Sequence, residues 1–215
     1  VDFISKIFGS KDPPPGGRSP GKVAASGDPA ALEAELRRLE REFGKARPGF
    51  QGTPLNRAGD LCHRAGDRER ALKYYGRAID LFLDDGQREA ARGVANKLIR
   101  IHPQAVRTLA TLTWLDLAAH HEATAIGHVQ AYVKAARKAG QEARAREEIF
   151  EMAAIAPYRG FLEAVAEGLD ELGQATAGNK IRQWIAQHGH SPYALTDPDA
   201  FSERCLEIAA GANKK

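Results

Sequence analysis

The chain has 215 residues, of which 43% are hydrophobic and 27% charged, with a formal net charge of +3. That suits one soluble domain or one short repeat array, and the interleaved Lys, Arg, Asp and Glu create no field to attract phosphate, so nucleic acid is not an expected partner. The two cysteines, Cys62 and Cys205, form no metal or disulfide framework, and no run of about 18 apolar residues marks a membrane span, so a cytoplasmic location is expected.

Residues 1–8 form a small apolar island in which Phe3, Ile4, Ile7 and Phe8 would share one helical face. Residues 9–27 are rich in Pro and Gly and read as a flexible linker spanning about 25 Å. The folded part starts at Asp28-Pro29, a cap followed by a proline suited to the first helical position, and its first helix fills 28–47. Leu32, Leu36, Leu39 and Phe43 make its apolar stripe. Helical repeats then occupy 53–190, with helices expected near 54–65, 68–85, 87–101, 104–119, 121–139, 141–155, 158–172 and 174–188. A second Asp-Pro pair, Asp197-Pro198, opens a helix within 196–215 that carries Phe201, Cys205, Ile208 and Ala209 and should cap the final hairpin. No strand-turn-strand pattern occurs, so the expected fold is all-α with nine to ten helices.

The segment Gly59-Asp60-Leu61-Cys62, Gly66-Asp67, Ala71, Tyr75 and Ala78 resembles the tetratricopeptide repeat, a helix-turn-helix unit of about 34 residues. Gly59, Gly66, Ala71, Tyr75 and Ala78 fit that pattern, and Cys62 stands where the family has a tyrosine. Gly59 and Ala71 are expected to meet where the two helices cross. A second regularity has a step of 54 residues: Gly86-Gln87, Ala91-Arg92, Ile101 and Pro103 recur as Gly140-Gln141, Ala145-Arg146, Ile155 and Pro157. The step implies a three-helix unit. The resemblance implies stacking of antiparallel helix pairs into a right-handed superhelix.

The same resemblance implies a function. Such proteins hold peptides or partner helices on a concave face lined by the first helix of each repeat. Here that face would carry Thr53, Asn56, Asp60 and His63, then Arg107, Ala110 and Trp114. Trp114 is either an anchor for the partner or a core residue. No phosphate loop, serine elbow or paired-carboxylate signature appears, so no catalysis and no cofactor are expected. His120, His121, Glu122 and His128 lack zinc-protease spacing and read as a polar turn, and Cys62 reads as a small buried hydrophobe. The expected function is therefore a non-catalytic scaffold or adaptor for another protein or peptide. The alternative is a peripheral subunit attached through Phe3, Ile4, Ile7 and Phe8. Without a strong basic flank, that segment suits a protein groove better than a membrane.

Overall fold

The structure is a computed structural model that describes residues 29–191 and 194–211. The apolar segment 1–8 and the linker 9–27 lie outside the described residues. Among the described residues the fold is all-α, with ten helices. They are α1 (Pro29–Lys45), α2 (Gly52–Arg64), α3 (Arg68–Asp84), α4 (Arg88–Ile101), α5 (Val106–Ala118), α6 (Glu122–Lys138), α7 (Glu142–Ile155), α8 (Arg159–Glu171), α9 (Ala175–His188) and α10 (Pro198–Gly211). None of these helices is long and apolar enough to cross a membrane.

The 54-residue step governs the helix boundaries. The first and last residues of α2, α3 and α4, advanced by 54, are those of α5, α6 and α7. The cause is local. After α2, α3, α5, α6 and α8 the chain turns in one way: the amides of Asp67, Gln87, His121, Gln141 and Gln174 donate back to the carbonyls of Cys62, Phe82, Asp116, Ala136 and Leu169 at 2.7–2.9 Å. The residue before each amide is left-handed, with φ between 57° and 79°. Glycine takes that conformation at Gly66, Gly86, Gly140 and Gly173 without steric cost, and His120 is the exception. Pro103 and Pro157, which cannot donate to a continuing helix, separate the three-helix units.

Packing inside the units explains their small residues. A Cβ on Gly59 would come within 2.6 Å of the Tyr75 ring, so the ring demands the glycine, and Tyr75 rather than Ala71 supplies its nearest atoms. A Cβ on Gly52 would meet the Phe82 ring at 2.6 Å. In the second unit both pairs exchange bulk between helices. Gly59 and Tyr75 become Thr113 and Val129, while Gly52 and Phe82 become Val106 and Ala136. In the hairpin of α8 and α9 the close approach moves to Gly178, where a Cβ would lie 2.7 Å from the Ala166 carbonyl oxygen.

α10 departs from the expectation that it caps the final hairpin. The chain leaves α9 through left-handed Gly189 and crosses the end of α7. There Ser191 Oγ donates to the Ala154 carbonyl at 2.7 Å and the Leu195 amide donates to the Ile155 carbonyl at 3.0 Å. Asp197 Oδ1 accepts from the Ala200 amide and caps α10, as the Asp-Pro signal implies. α10 then packs along α5 and touches α3. Phe201, Cys205 and Ala209 are fully buried there. In return α5 is buried all round from Thr108 to Ala118.

Candidate partner-binding face

On α2 the expected face divides. Thr53 and His63 are exposed, and Asn56 and Asp60 are half-buried. The structure adds Lys97, from α4, which no spacing rule connects to them. Lys97 Nζ donates to both Asp60 carboxylate oxygens at 2.7 and 2.9 Å and to Asn56 Oδ1 at 3.0 Å. Tyr75 Oη donates to Asp60 Oδ1 at 2.7 Å. Burial and this bond to a carboxylate both push the Tyr75 phenol above its usual range. The Asp60 charge is thus answered by an ammonium, and the face is a hydrogen-bonded polar cluster with no excess negative charge.

The second unit carries different chemistry at the same register. Asn56, Asp60 and Lys97 correspond to Ala110, Trp114 and Glu151. Trp114 is 2% exposed, so it is a core residue and not a free anchor. Arg107 pairs with Asp80 on α3 at 2.5 Å. Arg107, Ala110 and Trp114 border a cleft of about 520 Å³ whose far walls are Glu147 and Glu151 of α7 and Arg204 and Ile208 of α10. The second half of the predicted face is therefore narrowed to a cleft bordered by a helix of the same chain.

The core position held by Cys62 is also filled in two ways. Cys62 is fully buried, and burial pushes its thiol from 9.0 up to about 11. Its counterpart Asp116 is 1% exposed. There His128 Nδ1 lies 2.6 Å from Asp116 Oδ2, and Arg92 Nη1 lies 3.5 Å from Oδ1. The clustered histidines of the sequence consequently have separate partners. His128 meets Asp116, His121 meets Arg92, and His120 reaches both Tyr158 Oη and Ser202 Oγ. His120 also packs on the Phe201 ring, with centroids 5.9 Å apart. Sequence reasoning missed His120 as the residue that ties the α5–α6 turn to α10. Its signal was a histidine at a repeat position that glycine holds elsewhere. Among the described residues no three metal-binding side chains converge.

Comparison with known protein families, with curated proteins and with solved structures finds no match for this chain.

Proposed function

We propose that the chain is a non-catalytic scaffold that binds an extended or helical peptide of a partner protein on the exposed face of its first unit, at Thr53, Asn56, Asp60, His63 and Lys97. The observation that carries this reading is the seating of α10. At the second unit the corresponding register borders an amphipathic helix of the same chain, so the repeat presents a face to which a helix binds. At the first unit the same register holds hydrogen-bonding groups already oriented by Lys97. Side chains held in place lose less entropy when a peptide arrives. The resemblance to tetratricopeptide repeats supports the reading, since a concave face lined by α2 would be their binding surface.

A photocrosslinking residue at Thr53 tests the idea in the full chain. It should capture a partner, and Asn56→Ala with Lys97→Ala should abolish capture, while the same probe at Lys134, exposed on α6, should stay silent. Equal capture from both positions, or capture insensitive to the double substitution, would remove α2 as the binding face.

A further inference from the structure

Because α10 is drawn to α5, the last hairpin is left without the cap that its sequence position suggested. Among the described residues only α8 packs closely on α9. Between α7 and α9 lies an apolar cleft of about 270 Å³, lined by Phe150, Ala154, Leu162, Ile181 and Trp184, with Lys180 at its rim. Phe150 is 42% and Trp184 36% exposed, and they flank the same cleft. A single half-exposed aromatic is ordinary, but two of them bordering one apolar cleft mark a place where another apolar surface docks.

We propose that this cleft receives the chain's own residues 1–8, with Phe3, Ile4, Ile7 and Phe8 seated on Phe150, Ile181 and Trp184. The inference is independent of the α2 reading. Three observations select this occupant. The segment carries four large apolar side chains at helical spacing, and such a stripe gains free energy only by burial against a matching groove. Its one acid, Asp2, adjoins the stripe, and Lys180 is an exposed cation with no ion pair among the described residues. The connecting residues 9–28 extend to about 65 Å, enough to pass along a stack of several helices or to reach a neighbouring molecule. The other exposed aromatic, Phe50, is a poorer match. Its cleft is lined by four charged side chains, Arg38, Arg41, Glu42 and Lys45, where the cleft between α7 and α9 has only Lys180.

Trp184 itself supplies the assay. Trp114 is 2% exposed, so iodide quenching of the full-length protein reports Trp184. The comparison is a full-length variant with Phe3→Ser, Ile4→Ser, Ile7→Ser and Phe8→Ser, checked for unchanged helicity. The wild-type protein should be quenched at least about threefold less than the variant, since a covered side chain is shielded from a charged quencher. A synthetic peptide of residues 1–9 added to the variant should restore protection and shift the Trp184 emission to the blue, and Phe150→Asp should prevent both. Protection that persists on dilution places the segment on its own chain and supports the proposal, whereas protection lost on dilution places it on another copy and overturns it. Equal quenching of wild type and variant at every concentration would overturn it. So would protection that survives the four substitutions but disappears on dilution, because a different surface of a second copy would then be covering the cleft.

Discussion

Gly59→Ala is the sharpest test of how the repeat packs. The new Cβ would stand 2.6 Å from two carbons of the Tyr75 ring. Carbon atoms in contact sit about 3.5–4.0 Å apart, so the ring or the helix must shift by about 1 Å. Overpacking of this kind costs about 1–3 kcal/mol. Two effects modify that figure. Alanine is the better helix former and returns about 1 kcal/mol. The ring, however, is 1% exposed and its hydroxyl donates to the Asp60 carboxylate, so moving it endangers a bond to a charged group worth about 1.5–3 kcal/mol. The net expectation is a loss of about 2 kcal/mol. The second unit shows the compensation, because it pairs Thr113 with Val129. Tyr75→Val alone should cost about 2–4 kcal/mol, from lost packing and the lost hydrogen bond. Gly59→Thr with Tyr75→Val should then be more stable than the sum of the single losses by at least about 1 kcal/mol. Urea unfolding followed by far-UV circular dichroism measures the wild type, Gly59→Ala, Gly59→Thr, Tyr75→Val and the double variant. A Gly59→Ala midpoint at or above that of wild type, or an additive cycle, would refute the packing argument.

Asp116→Ala should cost about 3 kcal/mol by the same assay, because it leaves Arg92 and His128 facing a buried site without their carboxylate; a loss below about 0.5 kcal/mol would mean the cluster contributes nothing. Burial raises the Cys62 thiol from 9.0 to about 11, so its share of stability is complete below pH 9 and falls as pH rises towards 11. Thermal melts over that alkaline range should accordingly decline less steeply for Cys62→Ala, and parallel curves would contradict the assignment. Cys205 is pushed up to about 12 by burial, so neither thiol should react with a disulfide reagent at neutral pH until the protein unfolds. His120→Gly relieves a left-handed residue by about 1 kcal/mol but removes the ring that joins Tyr158, Phe201 and Ser202. Hydrogen exchange should then quicken in α10 and not in α6, and uniform protection would show that the ring does not hold α10.

The helices and their order were legible in the sequence because their signals are local. Left-handed turn glycines such as Gly66 and Gly140, and prolines such as Pro103 and Pro157, act within a few residues of the boundary they set. The 54-residue step was legible for the same reason, since it repeats those signals. The candidate face was only half legible. Asn56 and Asp60 share a helix face by spacing alone, but the cation that orients them comes from another helix, and Lys97 carried no mark of that role. Nor did periodicity distinguish an anchor from a core residue at Trp114, because helical spacing shows which residues share a stripe and not what covers the stripe. The seat of α10 was decided in the same way. Phe201, Cys205 and Ala209 form a stripe that could bury itself on any apolar helix in reach, and its pairing with α5, more than eighty positions earlier, depends on which faces the other nine helices leave open. That choice is made by packing among distant parts of the chain, so only the tertiary structure reveals it.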